Sequence, residues 1–263
     1  MDMFNPQDVT KLIYEVSDEI IRPNFNNPDN RIYDKTGPED IQTDADMASE
    51  RFLKQGLSRI YPKALFLGEE ECFESPDLIE NLLNQDEKPV WIVDPIDGTR
   101  NFARGKAVFA VIIALVERKR PAYGWIYDVP GNRMVLAQKG KGTYLNNTRI
   151  QFPDTPPGDD ELKGYALRTK RLKAIEKNHG PFNLKSLGCS GHEYINLVEG
   201  KRHFSINKNI MPWDHAAGAL MIEEAGGLAK HWDGEDFYPY KTKNGLISAC
   251  HKDIMDKLRP LLL

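Results

Sequence analysis

Cysteine is scarce in this sequence of 263 residues, and the three that occur, Cys72, Cys189 and Cys250, lie far apart. Their odd number and the absence of a Cys-x-x-Cys pair argue against a disulfide framework or a zinc site. Long hydrophobic runs are also missing, because the longest, from Ala107 to Val116, is too short to span a bilayer. The N-terminus has neither a basic region nor an apolar signal core. We therefore expect a soluble, cytoplasmic protein with no membrane partner.

A positively charged stripe is absent too. The chain has 35 Lys and Arg residues against 39 Asp and Glu residues, which gives a net charge of -4. The basic run from Arg118 to Arg120 is most simply a hairpin turn. We therefore expect no nucleic-acid partner. A small anionic substrate is still compatible with this composition, because bound cations would dominate the charge of its site.

The most informative stretch runs from Val90 to Phe102. It begins as an apolar run short enough for a buried strand and breaks at Asp94-Pro95, because proline cannot donate to the strand ladder. Asp97 follows on a rigid turn, and Gly98 lets the backbone approach a ligand closely. Carboxylate and backbone oxygens at a strand end are ligands that Mg²⁺ or Mn²⁺ prefers. Free N–H groups near Gly98 could hold an oxyanion.

Two further acidic positions lie where predicted elements begin or end. Glu69 follows a short apolar strand, and Asp214 lies in the first turn of a helix that starts at Pro212 and is rich in small residues. Taken singly, Glu69 is most simply part of a solvated charge run, and Asp214 is most simply an acid at a helix N-terminus. If they converge with Asp94 and Asp97, they could hold two cations that clamp a phosphate.

The order of predicted elements divides the chain into two halves. A helix starts at Pro6, a polar loop of about twenty residues runs from Asn24 to Thr43, and a strand meander follows the central stretch. The proline-rich segment from Asp154 to Asp160 is the predicted boundary. We expect an N-terminal half, residues 1–150, that carries the metal-binding motifs. We expect an α/β C-terminal half, residues 151–263, with alternating strands and helices that include one near 168–177.

The combined motifs resemble those of the inositol monophosphatase family, whose members are Mg²⁺-dependent, lithium-sensitive phosphomonoesterases. The resemblance covers nearly the whole chain from Lys35 onward. It implies an α/β fold of alternating αβαβα layers, and family members are commonly homodimers. The motifs that carry it are Gly68-Glu69-Glu70, the stretch from Asp94 to Phe102, Trp213-Asp214-His215-Ala216-Ala217-Gly218, and Glu224-Ala225-Gly226-Gly227.

The resemblance also implies roles for individual residues. The metal ligands would be Glu69, Asp94, the carbonyl of Ile96, Asp97 and Asp214, with Mg²⁺ as the default ion and Mn²⁺ as a substitute. The catalytic residues would be Glu69, Asp44 and Thr99. Of these, Asp44 and Thr99 would orient and deprotonate the metal-activated water. Backbone N–H groups of Gly98 and Thr99 would hold the phosphate. Lys35 would belong to a mobile loop, and the substrate side would include Ser190 and Asn207.

Two departures from the family pattern leave the substrate open. Asn207 stands where the animal enzymes that prefer inositol have an acidic residue, and Gly188-Cys189-Ser190 stands where inositol enzymes usually have Gly-Thr-Ala. We expect hydrolysis of a small, inositol monophosphate-like ester. One alternative is a sister phosphatase for adenosine 3′,5′-bisphosphate, fructose 1,6-bisphosphate or histidinol phosphate. The other is a partner-binding regulatory protein of the same fold.

Overall fold

The computed structural model describes residues 4–37, 40–75, 77–166 and 182–262. The helix expected near 168–177 lies outside the described residues. The helices are α1 Pro6–Val16, α2 Arg22–Asn24, α3 Asp44–Ile60, α4 Glu69–Glu74, α5 Leu78–Leu83, α6 Thr99–Ala103, α7 Ser190–Val198, α8 Pro212–Glu224 and α9 Lys252–Leu258, and a π-helical segment, Ser17–Ile21, joins α1 to α2.

The strands form three sheets in the described ranges. The large sheet has the order β3-β4-β5-β6-β7-β8-β9, the second sheet has the order β11-β10-β12-β14-β13, and β1 pairs with β2. The strands are β1 Ile32–Gly37, β2 Asp40–Thr43, β3 Leu65–Gly68, β4 Val90–Asp97, β5 Ala110–Glu117, β6 Arg120–Asp128, β7 Arg133–Gln138, β8 Gly142–Leu145, β9 Thr148–Ile150, β10 Gly164–Ala166, β11 Leu184–Lys185, β12 Phe204–Asn207, β13 Leu228–His231 and β14 Leu246–Ala249.

The large sheet is buried on both faces, which explains why its central strands are apolar at every position rather than at alternate ones. In β4, Val90 and Ile92 face one core, whereas Trp91 and Val93 face another. The second of these cores is closed by α1 and α3. The first is closed by α7 and α8. In β4 the charged side chains, Asp94 and Asp97, come only in the second half of the strand.

Helices α7 and α8 also cover the second sheet. The core that they share with the large sheet includes Ala229 and Leu246 of β13 and β14. The opposite face of the second sheet packs against α9, with Ile247 and Ile254 in a third core. Two sheets therefore alternate with three helical layers, and the predicted αβαβα arrangement is confirmed.

The segment expected as a structureless loop from Asn24 to Thr43 is organised differently. After α2 and a turn, it forms the antiparallel pair β1–β2, with Tyr33 opposite Gln42. The expectation of a loop was wrong because strands without apolar alternation leave no periodic signal in the sequence. Lys35 consequently lies on strand β1.

The two sheets meet near the predicted boundary between halves. The large sheet ends at Ile150, and the second sheet begins at Gly164. One core contains residues from both sheets, so the halves are packed together, and their description as two domains stays a prediction. Within the described ranges, no helix is both long and apolar enough to cross a membrane.

Candidate active site and metal centre

The end of β4 places two carboxylates inside the protein. The register of β4 with β5 shifts between Asp94 and Asp97, where Pro95 removes a backbone donor. Asp94 is 2% exposed and Asp97 is 6% exposed. Gly98 follows with φ of 90°, and a Cβ there would lie 2.9 Å from the carbonyl oxygen of Val108. A glycine is therefore required at this turn.

Helix α8 brings a third carboxylate to the same point. Asp214 lies in the first turn of α8, where the helix dipole favours negative charge. The helix packs closely on α7, since a Cβ at Gly218 would lie 2.2 Å from the ring of Tyr194. Carboxylate oxygens of three residues lie within 4.8 Å of one another, those of Asp94, Asp97 and Asp214.

These three groups destabilise one another in their charged form. Burial raises the pKa of Asp94 well above its usual value, and the charges of Glu69, Asp97 and Asp214 raise it further. Burial and the charges of Asp97 and Glu69 raise the pKa of Asp214 in the same way. One oxygen of Asp94 is buried without a hydrogen-bond partner among the described residues. Buried, mutually repelling carboxylate oxygens fit a hard divalent cation, which would neutralise them.

The orientation of Asp97 is fixed by the start of α7. The thiol of Cys189 donates to Oδ2 at 2.9 Å, while the backbone N–H groups of Ser190 and Gly191 donate to Oδ1 at 3.0 Å and to Oδ2 at 2.6 Å. Burial raises the pKa of Asp97, and these three hydrogen bonds oppose the rise. The contact of Cys189 with Asp97 was not predicted from the sequence, because an isolated cysteine is interpreted as a buried thiol without a function.

Glu69 lies at the edge of the same site, in an ion pair. The ammonium of Lys35 is 2.8 Å from Glu69 and 2.9 Å from Glu70, and its side chain is only 3% exposed. Burial alone would lower the pKa of Lys35, but the charges of both carboxylates raise it. Among the described residues, the lysine predicted for a mobile loop thus neutralises a predicted metal ligand, and its mobility stays a prediction.

A buried acid that sequence reasoning missed supports the turn that carries Glu69. Glu50 accepts hydrogen bonds from the backbone N–H groups of Glu70 at 2.8 Å and of Glu71 at 3.1 Å. A Cβ at Gly68 would lie 2.3 Å from the Glu50 carboxyl group, so a larger residue at the strand end would displace the Glu50 side chain. The sequence contained one signal for a buried Glu50, because this residue lies three positions before Leu53 on the apolar face of α3.

The acid beside Thr99 is Asp46, and the assignment of Asp44 to this position does not agree with the structure. The Thr99 hydroxyl donates to Asp46 Oδ1 at 3.1 Å or to the carbonyl of Ile96 at 3.0 Å. Asp44 instead accepts hydrogen bonds from Arg31 Nε and the Tyr33 hydroxyl, each at 3.0 Å. The two acids are two residues apart on α3 and therefore face different ways.

Asp46 also caps its own helix. Its carboxylate accepts from the backbone N–H of Thr43 at 2.8 Å, which completes a capping box. Burial raises the pKa of Asp46 to about 7, although the hydrogen bonds from Thr43 oppose this rise. The capping role is visible in the Thr-x-x-Asp spacing, but the second contact with Thr99 is not.

A cavity of about 510 Å³ opens onto these groups. Ser190 and Asn207, predicted to contact substrate, are not among the described residues that line it. The Asn207 side chain lies 3.5 Å from the Ser205 hydroxyl. The lining consists of Lys35, Glu69, Cys72, Phe73, Ile79, Asp94, Ile96, Asp97, Gly98, Thr99, Met211, Trp213 and Asp214.

A family model for inositol monophosphatases matches residues 5–262. The chain belongs to the inositol monophosphatase family. The inositol-1-monophosphatase of Bacillus subtilis is 31% identical over 232 residues, which are 85% of each chain. The fructose-1,6-bisphosphatase/inositol-1-monophosphatase of Thermotoga maritima is 28% identical over 221 residues, or 81% of each chain. A solved structure of a Thermotoga maritima IMPase has a TM-score of 0.80 at 25% identity and covers 96% of this chain and 94% of its own.

Family membership establishes the reaction class of the site. This member of the inositol monophosphatase family is a phosphoric monoester hydrolase. The family is metal-dependent, and the cluster of Asp94, Asp97 and Asp214 fits that requirement.

Proposed function

We propose that the protein hydrolyses small phosphate monoesters with Mg²⁺ as its cation and with Mn²⁺ as a substitute. One observation carries this proposal: carboxylates of Asp94 and Asp97, which are buried, and of Asp214, which is half-buried, converge within 4.8 Å in a cavity that also contains Thr99. Bound divalent cations would supply Lewis-acid activation of water and neutralise the phosphate oxygens.

Five oxygen donors from three separate parts of the chain would hold these cations. Asp94 belongs to the carboxylate cluster, and one of its oxygens, buried without a hydrogen-bond partner among the described residues, is available as a ligand. Ile96 and Glu69 line the same cavity, and the carboxylate of Glu69 becomes available when Lys35 moves away from it. The proposed ligands are Glu69, Asp94, the Ile96 carbonyl, Asp97 and Asp214.

Thr99 and Asp46 form the proposed proton pathway. The Thr99 hydroxyl lies between the Ile96 carbonyl and Asp46, so it can orient a water molecule and pass its proton to the carboxylate. A carboxylate with a pKa of about 7 is matched to accept a proton near neutral pH. Gly98 and Thr99 line the cavity, and their backbone N–H groups would hold the phosphate.

A panel of phosphate esters tests the proposal. With Mg²⁺, we expect phosphate release from at least one small monoester, loss of this release in EDTA, and inhibition by Li⁺. Inositol 1-phosphate and fructose 1,6-bisphosphate enter the panel because the names of the relatives mention them.

The Asp97→Asn variant connects that activity to this site. Loss of one charged ligand should lower kcat/KM by roughly 100-fold, whereas Asp8→Asn, on the exposed side of α1, should leave it unchanged. Full activity in a folded Asp97→Asn protein would exclude the proposed ligand set.

A further inference from the structure

The cavity of the candidate site has two chemically different walls. The carboxylates, Lys35, Gly98 and Thr99 form the first wall, and the proposed mechanism uses them. The second wall contains no charged side chain among the described lining residues. It consists of Cys72, Phe73, Ile79, Met211 and Trp213, and we call it the apolar wall.

Two residues of the apolar wall are exposed although they are large and hydrophobic. Phe73 is 42% exposed and Met211 is 36% exposed. In the described part of the chain, the other exposed large hydrophobic residues are Tyr14 and Ile32, and neither lines this cavity. Apolar surface inside a binding cavity stabilises a ligand that covers it and removes it from water.

The apolar wall is held close to the proposed cation ligands by two helices. Phe73 follows Glu69 by four residues in α4, so both side chains lie on one face of that helix. The ammonium of Lys35 lies 5.9 Å from the centre of the Phe73 ring. Met211 is the residue before α8, three positions ahead of Asp214. If a phosphate binds at the carboxylates, its leaving alcohol lies in the same cavity. The described lining residues there that do not bind the phosphate or the cations form the apolar wall.

A leaving alcohol rich in hydroxyl groups does not match that lining. Its hydroxyls would lose water without gaining partners among the described lining residues, because the polar ones are engaged at the reaction centre. Asn207, the expected hydroxyl-binding residue, does not line the cavity. A flat apolar group loses little on leaving water and can pack on Phe73 and Met211.

We propose that Phe73 and Met211 are specificity-determining residues that select a phosphate monoester whose leaving alcohol carries a flat apolar group. The inference rests on the proposed function, since it assumes that the phosphate binds at the carboxylate cluster.

Two esters with alkyl leaving groups test it, so that leaving-group acidity does not decide the comparison. They are 2-(2-naphthyl)ethyl phosphate and inositol 1-phosphate, each assayed with Mg²⁺. The wild type should favour the naphthyl ester by roughly tenfold in kcat/KM, mostly through KM. Phe73→Ser and Met211→Ser should each reduce that ratio several-fold. Tyr14→Ser, at a residue 38% exposed outside the cavity, should leave the ratio unchanged.

The outcomes separate this inference from the proposed function. If both esters are hydrolysed and the serine variants leave the ratio unchanged while folded, the apolar wall has no role in selection. A preference for inositol 1-phosphate in the wild type overturns the inference and leaves the proposed function intact. If neither ester is hydrolysed while another monoester of the panel is, the inference is overturned and the proposed function stands. If no monoester of the panel is hydrolysed, the proposed function fails. Binding of 2-(2-naphthyl)ethyl phosphonate, measured by calorimetry, then decides whether Phe73 and Met211 still recognise the flat group.

Discussion

Single residues two positions apart carry different roles in α3. Asp46 contacts Thr99 inside the protein, while Asp44 pairs with Arg31 at its surface. We predict that Asp46→Asn lowers kcat by roughly 100-fold or more, the usual effect of removing a general base. Asp44→Asn should change kcat only a few-fold, because it removes an exposed ion pair.

Steady-state kinetics on both variants, with circular dichroism to verify folding, makes this comparison. The opposite ranking, with Asp44→Asn inactive and Asp46→Asn active, would restore the assignment made from the sequence.

Another single carboxylate connects the large sheet to the helix that orients Asp97. Asp128 accepts hydrogen bonds from Arg133 Nε and from the Gly131 N–H, each at 2.8 Å, and lies 3.1 Å from His192 Nε2 in α7. Burial alone would raise the pKa of Asp128, but the interactions with His192, Gly131 and Arg133 lower it to about 2.

The sign of its pH effect follows from that lowered pKa. The unfolded chain takes up the proton first, near pH 4, so the contribution of Asp128 is complete above about pH 4 and is lost as the pH falls toward 2. Asp128→Asn should lower the free energy of unfolding by about 2 kcal/mol at pH 7 and by much less at pH 2.5. Urea unfolding at both pH values measures this, and an equal difference at the two values would contradict the prediction.

At the scale of an element, the strand pair β1–β2 supplies a cation to the site. Lys35 on β1 neutralises Glu69 and Glu70. Lys35→Met should lower the free energy of unfolding in EDTA by about 2 kcal/mol or more, because two mostly buried carboxylates lose their partner. Added Mg²⁺ should stabilise this variant more than the wild type, since the ion takes over the role of the ammonium.

Lys54→Met is the matched control for Lys35→Met. Its ammonium also lies 2.8 Å from a carboxylate, that of Glu71, but its side chain is 49% exposed, so little stability should be lost. Thermal unfolding with EDTA and with Mg²⁺ tests both variants. Equal Mg²⁺ stabilisation of Lys35→Met and the wild type would show that the ammonium and the ion do not share a position.

At the scale of the whole molecule, the carboxylate cluster joins the two halves of the chain. Asp94 and Asp97 end a strand of the large sheet, whereas Asp214 belongs to a helix packed between both sheets. Divalent cations should therefore stabilise the entire fold, by about 2.7 kcal/mol at a concentration of 100 times Kd.

Asp94→Asn should remove that stabilisation. In EDTA the variant should be at least as stable as the wild type, because it lacks one of three repelling charges. Calorimetric unfolding across a Mg²⁺ titration checks both statements. If the melting temperature of the wild type does not change with Mg²⁺ concentration, the cluster binds no divalent cation.

Much of this architecture was accessible from local patterns. The apolar run before Asp94 predicts a buried strand, and proline and glycine in the next residues predict that it ends in a turn. The small residues of α8 predict close packing, which Gly218 confirms. The strand pair that carries Lys35 was missed, since its strands lack apolar alternation and the contacts of Lys35 with Glu69 and Glu70 join segments distant in sequence.

By itself, the sequence determined the family and, through the resemblance to it, the layered fold. It also placed the four acids at the ends of predicted elements, because motifs and turn chemistry are properties of neighbouring residues. Only the tertiary structure decided whether Asp44 or Asp46 faces Thr99, because positions two apart on a helix differ by about 200° and either acid could occupy the first turn. It also decided that Cys189 orients Asp97 and that Phe73 and Met211 share a cavity. Those contacts join segments distant in sequence, so no local pattern records them.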